Sequence, residues 1–488
     1  APGTFQHSLQ MANLAAAATN KKQTAAKNKG VRSMGNWQST FVCGRDSGYP
    51  MYDEADVLVC GGGPAGVAAA ETAARRGQKT LLVERLGFLG GAAVAGYSGT
   101  FCGLFYASDD PAAEGPKQAV YGWTDRFYQE MIRRGHVTPP QLYGKTYLVP
   151  FDPQGWKEVA EDMVLASGAK ILYHTNIVGV VKEQDEFSGI VIDTKNGMAQ
   201  IKAKVLVDAT GDADLVYRAG LPFTMGDHGH IQNPTMIFRL GGVAVKRFKE
   251  YWGEDTISPD KVGEAMKQAR AEKGWKLPRL KVWVYPTNRP DELFMNVTLI
   301  NGWDGRELNV CEVKDHTEAE QVARKQVREY AAFFKEYIPG CENSFVNDLS
   351  CEVGVRQTRS IVGVEQLKNT DVAEARKRPD GIARCPWPIE LHNGEKPYMF
   401  WLIHDYYEIP YGALVPAEGE NIIVAGRNLC AEHQALASCR VTAQCFGYGQ
   451  AAGIAADLAI RSSKKLREIR GEDVRAELNA EGARLDEA

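Results

Sequence analysis

The feature that most constrains the fold is a glycine-rich turn that joins an apolar strand to an alanine-rich helix. The run Asp56-Val57-Leu58-Val59-Cys60 predicts a buried strand, and a helix is predicted from Pro64 to Arg76. A second apolar run, Thr80-Leu81-Leu82-Val83-Glu84, follows. Strand, turn, helix and strand in so short a stretch form a parallel crossover unit. The sequence therefore predicts an α/β fold that contains a parallel sheet.

The turn itself, Gly61-Gly62-Gly63-Pro64-Ala65-Gly66, fits the pattern GxGxxG. In that pattern Gly61 allows the tight turn, Gly63 lets the backbone approach a pyrophosphate, and Gly66 lets the helix pack closely on the strand. Glu84 follows Gly63 by 21 residues (84 − 63), the distance at which a carboxylate meets ribose hydroxyl groups. The pattern predicts a bound dinucleotide without a 2′-phosphate, whose phosphates face the helix N-terminus. A purely structural turn is the alternative.

Later glycines decide between NAD and FAD. The pair Gly90-Gly91 lies just beyond Glu84, a second glycine turn stands at Ala209-Thr210-Gly211-Asp212, and a third at Gly426-Arg427. An NAD dehydrogenase has no need of the pair, whereas the longer FAD molecule runs past this loop and requires close backbone. The cofactor predicted from these glycines is FAD. A last helix is predicted to begin at about Gly447, in the run Gly447-Tyr448-Gly449-Gln450-Ala451.

Together these motifs resemble the FAD-dependent oxidoreductases of the glutathione-reductase-like flavoprotein superfamily. More narrowly, they are similar to its single-chain branch with a GGGxAG loop and a C-terminal GQAAG helix. The resemblance covers about residues 55 to 461. It implies a Rossmann-like FAD-binding domain with an inserted α+β substrate domain.

The resemblance also implies which residues contact FAD. The last helix would point its N-terminus at the flavin, although simple close packing also explains its glycines and alanines. The implied cofactor-binding residues are Gly61, Gly63, Pro64, Ala65, Gly66, Glu84 and Arg85; Ile177 or Val178 near the adenine; Gly90, Gly91 and Ala92; Ala209, Gly211 and Asp212; Gly426 and Arg427; and Gly449 and Ala451.

With 488 residues the chain is long enough for two or three domains. The predicted divisions are 1–50 as an N-terminal arm or linker, 51–224 as the first part of the FAD-binding domain, 225–400 as the substrate or cap domain, 401–465 as the returning part of the FAD-binding domain, and 466–488 as a helical tail. If the first segment is an arm, it would dock on a neighbouring subunit of a homo-oligomer.

Charge and cysteine content exclude other classes. The formal charge of −4 is too slight to predict nucleic-acid or membrane-surface partners. The ten cysteines form no CxxC pair, so we expect no structural metal. No apolar stretch is long enough to predict a spanning helix. The compartment is left open between the cytoplasm and export after removal of a signal.

Histidine is the first candidate for an acid or base beside the flavin. His433 and His392 both lie near predicted turns, and His404 is a weaker candidate; structural hydrogen bonding is the alternative for each. Arg356 and Arg359 stand three residues apart and would share a helical face, or would be split by a strand. Each is a candidate to bind a carboxylate or to pair with a buried acid, as is Arg440.

The predicted function is that of an FAD-dependent oxidoreductase, a dehydrogenase or oxidase. It would oxidise a small organic substrate by hydride transfer to flavin N5, with His433 or His392 as the base. The electrons would then pass to oxygen, a quinone or another acceptor. The alternative is a reductase of an activated alkene resembling fumarate reductase flavoproteins, in which Arg356, Arg359 and Arg440 act on a carboxylate substrate.

Overall fold

The computed structural model describes residues 42–43, 48–183, 186–392 and 394–487. The predicted N-terminal arm or linker therefore lies almost wholly outside the described residues. The strands in chain order are β1 (Val42–Cys43), β2 (Met51–Cys60), β3 (Thr80–Val83), β4 (Thr100–Phe101), β5 (Gln141–Tyr143), β6 (Thr146–Pro150), β7 (Lys170–Leu172), β8 (Asn176–Glu183), β9 (Glu186–Thr194), β10 (Gly197–Asp208), β11 (Phe223–Met225), β12 (Phe238–Gly241), β13 (Trp283–Pro286), β14 (Leu293–Asn296), β15 (Phe345–Leu349), β16 (Arg359–Ile361), β17 (Gly381–Cys385), β18 (Ile389–Leu391), β19 (Tyr398–Phe400), β20 (Tyr407–Pro410) and β21 (Ile422–Val424).

The two longest helices of the described residues are Val313–Tyr337 and Thr442–Ser462. Two short 3-10 helices lie at Tyr411–Ala413 and Leu466–Glu468. The α-helices in chain order are α1 (Pro64–Arg75), α2 (Gly91–Val94), α3 (Pro111–Glu114), α4 (Trp123–Arg133), α5 (Pro153–Ala166), α6 (Asp214–Arg218), α7 (Val245–Trp252), α8 (Asp260–Lys273), α9 (Val313–Tyr337), α10 (Asn369–Ala373), α11 (His433–Cys439), α12 (Thr442–Ser462) and α13 (Gly471–Ala480).

The main sheet brings the predicted glycine turns to one edge. Its strand order is β1-β8-β9-β10-β2-β3-β7, and β21 pairs with the C-terminal half of β10. Strands β21, β10, β2, β3 and β7 are parallel, so their carboxyl ends lie side by side. Ligands of such sheets bind outside the carboxyl ends of the strands. The α/β fold predicted from the sequence is confirmed.

Hydrogen bonds tie the ends of these strands together. Gly61 N–H donates to the carbonyl of Val83 at 2.8 Å, and Ala209 N–H donates to the carbonyl of Cys60 at 2.9 Å. The first residue after β21, Ala425, donates to the carbonyl of Asp208 at 3.0 Å. The turns that the sequence singled out are thus held in one continuous row.

Helix α12 starts earlier than the sequence indicated. The predicted start near Gly447 is wrong, because the helix begins at Thr442 with Val441 as its N-cap. The apolar residues Ala443, Cys445 and Phe446 are all buried, so the first turns are held by packing on several sides. Gly449 consequently lies two turns inside the helix rather than at its start.

A second, antiparallel sheet has its own hydrophobic core. Its strand order is β13-β14-β12-β15. Its core is built from residues between Met236 and Val353 and includes one face of α9, where Val327, Tyr330 and Phe334 are buried. The whole helix spans 25 residues, Val313–Tyr337. This sheet packs beside the edge formed by the carboxyl ends of the parallel strands through Phe294, whose ring lies 5.7 Å from that of Tyr97.

Candidate functional site

The glycines of the loop differ in whether the surrounding chain leaves room for a Cβ atom. A Cβ on Gly66 would lie 1.8 Å from the carbonyl oxygen of Gly61, and one on Gly61 would lie 2.5 Å from the carbonyl oxygen of Ala209. Both positions are therefore closed by the chain itself. A Cβ on Gly63 would meet nothing nearer than the Cα of Gly91 at 3.8 Å. Gly63 faces open space, as a pyrophosphate approaching the backbone requires.

Helix α1 begins beside this open position without a competing anion. Its N-cap is Gly63, it has no side-chain cap and no acidic residue in its first turn, and Pro64 and Ala65 are its first residues. The free N–H groups and the positive end of the helix dipole are suited to a phosphate.

Glu84 is buried directly behind the loop. Its carboxylate accepts hydrogen bonds from the N–H of Gly62 at 2.7 Å and from the N–H of Leu86 at 2.8 Å. Burial raises the pKa of Glu84 above its ordinary value, although these two N–H donors act against the shift. The next residue, Arg85, pairs with Glu352 on the far side of the loop.

The second glycine pair lies against the first loop. Gly90 N–H donates to the carbonyl of Gly62 at 2.7 Å, and Gly90 and Gly91 have φ of 140° and 46°, which favours glycine. Ala92 follows in α2. Thr175 N–H donates to the carbonyl of Glu84 at 3.1 Å. Val178 of β8 follows Thr175 by three residues.

The turn after β10 is held by an ion-pair cluster. Asp212 accepts hydrogen bonds from Arg427 at 2.7 Å and from Thr358 at 2.6 Å, while Arg359 donates to its backbone carbonyl. Burial alone would raise the pKa of Asp212, but Arg427, Thr358 and Arg359 together hold it below its usual value. The side chain of Arg427 also covers Gly211, since a Cβ there would lie 3.2 Å from its guanidinium. Gly426 stands next to it with φ of 124°.

Gly449 lies in a helix–helix interface. A Cβ on it would lie 2.0 Å from the carbonyl oxygen of Ala65, so α12 approaches α1 at the point where α1 begins. Ala451 is fully buried in the same helix. The structure thus places Gly449 in the packing between α1 and α12, and the N-terminus of α12 is formed by Thr442 and Ala443 instead.

That N-terminus meets the loop that follows Ala92. The hydroxyl of Thr442 donates to the carbonyl of Thr100 at 3.3 Å, and Ala443 N–H donates to the carbonyl of Cys102 at 3.2 Å. Earlier in the same loop, a Cβ on Gly96 would lie 3.1 Å from the Cα of Gly354. The chain from the second glycine pair therefore leads directly to the segments that carry Arg440 and Arg356.

A group of charged and titratable side chains occupies this junction, and we call it the cationic cluster. It comprises Arg279, Arg356, Arg440, Glu390 and His392, of which all but the partly buried Arg440 are buried. Its members come from a loop before β13, the loop between β15 and β16, the residue between α11 and α12, and strand β18 with the residue after it.

The three arginines of the cluster have few partners. Arg356 donates to the carbonyl of Asn233 at 2.8 Å, and Arg440 donates to the side-chain oxygen of Gln232 at 2.7 Å. All three nitrogens of the Arg279 guanidinium are buried without a hydrogen-bond partner, and the group stacks on the ring of Trp283 at 4.9 Å. Burial lowers the pKa of each arginine, that of Arg440 to about 10, and Arg279 and Arg440 further lower the pKa of Arg356.

His392 is neutral in this environment. It is 6% exposed, and its pKa lies well below the ordinary value because of burial and then because of Arg356, Arg279 and Arg440. Its Nε2 lies 3.3 Å from the carboxylate of Glu390, and its Nδ1 is buried without a partner. Glu390 also accepts a hydrogen bond from the hydroxyl of Tyr143.

His433 lies outside the cluster but near it. It is the first residue of α11, and its backbone carbonyl accepts a bond from Gln232 at 3.5 Å. Burial lowers the pKa of His433, while Asp227 acts to raise it. Its Nδ1 is also buried without a partner. His404 is half exposed and lies 3.4 Å from Glu114, away from these groups.

Arg356 and Arg359 do not share a helical face. Arg356 lies in a loop, and Arg359 opens strand β16. They point to different partners, Arg356 toward the cationic cluster and Arg359 toward Asp212 and Asp214. Of the two arrangements expected from the sequence, a shared helical face and a separation by a strand, the structure shows the second, since Arg356 precedes the strand that Arg359 opens.

Arg279 and Glu390 were not among the residues predicted from the sequence. Neither belongs to a motif, and each reaches the cluster only through the folding of distant segments. The signal that marks Arg279 is a lone charge in the apolar run Leu277-Pro278-Arg279-Leu280, because a charged residue among buried ones is rarely buried without a role.

The fold and the loops define a class: an α/β oxidoreductase with an FAD-binding edge. The open face at Gly63, the uncapped helix α1 and the buried carboxylate of Glu84 fit the pyrophosphate and ribose of FAD. A model of the family described as FAD dependent oxidoreductase matches residues 56–478. The chain belongs to this family, is an enzyme, and uses FAD.

Curated relatives match only part of the chain. A digeranylgeranylglycerophospholipid reductase of Thermoplasma volcanium is 27% identical over 157 residues, which is 32% of this chain and 39% of that protein. A thiamine thiazole synthase of Methanococcus vannielii is 29% identical over 172 residues, which is 33% of this chain and 59% of that protein. The matches thus span less than two thirds of these relatives.

Solved structures are similar over a larger share of the chain. A geranylgeranyl bacteriochlorophyll reductase-like protein of Thermoplasma acidophilum is 14% identical and has a TM-score of 0.47, with 88% of this chain and 85% of that one covered. A p-nitrophenol 4-monooxygenase of Pseudomonas putida is 13% identical with a TM-score of 0.44, covering 88% and 84%.

The described residues contain no group of three His, Cys, Asp or Glu side chains placed to hold a metal ion. Nor do they contain a helix that is both long enough and apolar enough to cross a membrane.

Proposed function

We propose that this enzyme oxidises a small organic substrate at the cationic cluster by hydride transfer to flavin N5, with His392 as the general base. The electrons then leave to oxygen, a quinone or another acceptor. We place the chain in the glutathione-reductase-like branch on the strength of its glycine loop, its glycine pair and the helix that carries Gly449. The proposal treats residues 225–400 as the cap over the substrate.

The observation that carries this proposal is the unpartnered Nδ1 of His392. A proton on Nε2 faces the carboxylate of Glu390 at 3.3 Å, and this leaves the lone pair on Nδ1. A neutral imidazole with a fixed lone pair is what a base needs in order to take a proton from a substrate hydroxyl or amine. The lowered pKa of His392 keeps the ring neutral at physiological pH.

The cofactor would be held by the row of strand ends. Gly63 and α1 would bind the pyrophosphate, Glu84 the ribose, and Gly90, Gly91, Ala92, Gly426 and Arg427 the rest of the molecule. Bound FAD would supply the acceptor for the substrate hydride. The substrate would lose its other proton to Nδ1 of His392, so that both hydrogens of the oxidised bond are accounted for.

The test is single-turnover reduction of the flavin under anaerobic conditions. A panel of alcohols, sugars, amines and hydroxy acids is screened for bleaching of the flavin absorption. With a substrate that bleaches the flavin, His392→Ala should slow flavin reduction by about 100-fold or more, which is the rate factor that a general base typically contributes. His433→Ala, the neighbouring histidine, serves as the comparison. A slower rate for His433→Ala with an unchanged rate for His392→Ala would assign the base to His433.

A second candidate is reduction of an activated alkene, and the three buried arginines favour it. An arginine with a lowered pKa is able to act as an acid while the others hold a carboxylate. Arg279 would take the place that the sequence assigned to Arg359. In this case the chemically reduced enzyme would be reoxidised by an unsaturated acid in the absence of oxygen, and no alcohol or amine would bleach the flavin.

A further inference from the structure

The cationic cluster carries more positive than negative charge. Three guanidinium groups lie together, and Glu390 is the carboxylate that acts on all of them. Within the described residues no carboxylate oxygen lies within 4.0 Å of a nitrogen of Arg279, Arg356 or Arg440. With His392 neutral, three positive charges and one negative charge leave an excess of two.

Such an excess is costly in a protein interior. Arg279 is 2% exposed and Arg356 is 7% exposed. A buried charge without a partner loses its hydration and gains nothing in return, so proteins retain one only where a ligand or another group compensates it. Three such groups that repel one another and also lower the pKa of His392 do not serve the stability of the free protein.

Neighbouring acids are committed elsewhere. Asp212, which lies beyond Arg427, is bonded to Arg427, Thr358 and Arg359. Glu390 accepts a hydrogen bond from Tyr143 and contacts His392. Asp227 and Glu307 act to raise the pKa of His433. Within the described residues, then, no further carboxylate compensates the three arginines.

We propose that the cationic cluster binds a small organic dianion, and that this dianion is the substrate of the enzyme or the part of it that the enzyme recognises. That the dianion is the substrate, or part of it, rests on the proposed function. Arg279, Arg356 and Arg440 hold the two anionic charges by charge-assisted hydrogen bonds. Guanidinium groups suit carboxylates and phosphates alike, so the shared chemistry is that of a planar or tetrahedral oxyanion.

The face of Trp283 sets the position of one of these arginines. Its ring stacks under the guanidinium of Arg279 on one side, and His392 lies edge-on at 5.0 Å. A stacked guanidinium keeps its nitrogens free in the plane of the group. An anion bound to Arg279 would therefore lie within the same shell of residues as the imidazole of the proposed base.

The experiment measures binding to the purified holoenzyme without turnover. Succinate is the dicarboxylate probe and glycerol 3-phosphate is the phosphate-ester probe, with dimethyl succinate and glycerol as their uncharged counterparts. Binding is followed by the change in the flavin absorption spectrum and by the shift of the unfolding temperature. We expect at least one dianion to bind and neither neutral counterpart to do so at the same concentration. Binding of succinate would indicate a carboxylate ligand, and binding of glycerol 3-phosphate would indicate a phosphate ligand.

Variants then assign the binding to the cluster. Arg279→Met keeps the length of the side chain and removes its charge, and we expect the dianion to bind at least about tenfold more weakly. Without ligand, the unfolding temperature of Arg279→Met should equal or exceed that of the wild type, because the variant no longer buries an uncompensated charge. Arg324→Met is the matched control, since Arg324 lies on α9, is half exposed and pairs with Glu320. It should bind the dianion as the wild type does.

Several results would overturn the inference. The first is an equal response to the dianions and their neutral counterparts, and the second is an unchanged dianion affinity in Arg279→Met. The third is release of FAD from Arg279→Met, which would show that the positive charge of Arg279 serves the cofactor.

Binding of a dianion with no flavin reduction by any compound of the panel would support the anion site and contradict the proposed oxidation. Reduction of the flavin by a neutral compound, unaffected by dianions, would support the oxidation and contradict the anion site.

Discussion

His392 Nε2 lies 3.3 Å from the carboxylate of Glu390, two residues earlier in the chain. The two side chains stand at the end of β18, whose hairpin with β19 fixes their spacing. Tyr143 bonds to the same carboxylate from another strand. The imidazole is thus positioned by a group that does not itself need to touch the substrate.

The first prediction concerns the pH dependence of flavin reduction. The pKa of His392 is lowered, so the neutral base persists below pH 6.5 and is lost only as the pH falls through the lowered value. The reduction rate should therefore be flat through neutral pH and decline only under acidic conditions. Rapid-mixing measurements between pH 4 and pH 9 give the profile. A decline that begins above pH 7 would argue against His392.

The second prediction concerns Glu390 as a positioning residue. Glu390→Gln removes a negative charge beside the imidazole, so the pKa of His392 should fall further and the ring should lose its fixed orientation. We expect the reduction rate to fall by about tenfold or more, with the acidic inflection moved to lower pH. The inflection separates this role from a structural one, because mere loosening of the hairpin would lower the rate without moving it.

The third prediction concerns Glu84 and the ribose. Glu84→Gln replaces a carboxylate that accepts two backbone N–H bonds and faces the predicted ribose. Hydrogen bonds to charged groups contribute about 1.5–3 kcal/mol each, so the dissociation constant of FAD should rise by roughly 10- to 100-fold. Titration of the apoprotein with FAD, followed by quenching of flavin fluorescence, measures it. Arg85→Ala is the neighbouring comparison, since Arg85 pairs with Glu352 on the surface.

The fourth prediction concerns the ion pair between Arg427 and Asp212. Arg427→Met leaves the Asp212 carboxylate without its nearest cation, and the loss should cost about 1–3 kcal/mol of unfolding free energy at pH 7. The side chain of Asp212 is 29% exposed, which keeps this below the cost for a fully buried pair. Because the pKa of Asp212 is lowered in the native state, the wild type loses this stability as the pH falls. The difference between wild type and variant should therefore shrink at low pH in denaturant titrations.

The fifth prediction separates packing glycines from cofactor glycines. Gly449→Ala would place a Cβ 2.0 Å from the carbonyl oxygen of Ala65, so α12 must move away from α1. Overpacking of this kind costs about 1–3 kcal/mol or more. Thermal unfolding of the apoprotein should show the loss before any FAD is added. If the apoprotein is as stable as the wild type and only FAD binding suffers, Gly449 is a cofactor contact after all.

The cofactor edge could be predicted from the sequence because local signals and fold agree there. The loop from Gly61 to Gly66 carries its geometry in consecutive residues, and Glu84 stands at a spacing fixed by one strand and one helix. The later turns at Gly211 and Gly426 end strands of the same parallel sheet, so their approach follows once the sheet is assumed. The start of α12 was harder to predict, because Val441, Thr442 and Cys445 have little helix preference and are held in the helix by tertiary packing.

His392, Arg356 and Arg440 were candidates from the sequence, but their meeting with Arg279 and Glu390 in one cluster could not be predicted from it. Its residues lie between positions 279 and 440 and meet only because the second sheet, the β18–β19 hairpin and the start of α12 converge. No spacing rule links Arg279 to Arg440. The spacing of Arg356 and Arg359 left two arrangements open for the same reason, since only the backbone conformation decides whether two residues three apart share a face.

Binding of FAD to the apoprotein of wild type and Gly63→Ala tests most directly the claim that this row of strand ends holds the cofactor. The extended backbone of Gly63 accommodates alanine, and its Cβ would meet nothing of the chain within 3.8 Å. The variant apoprotein should therefore unfold at nearly the wild-type temperature. The wild type should take up one equivalent of FAD. Because FAD needs the space of that Cβ, Gly63→Ala should bind it at least about tenfold more weakly than the wild type does. A wild-type protein that takes up no FAD, or a Gly63→Ala variant that binds it equally well, would contradict the account.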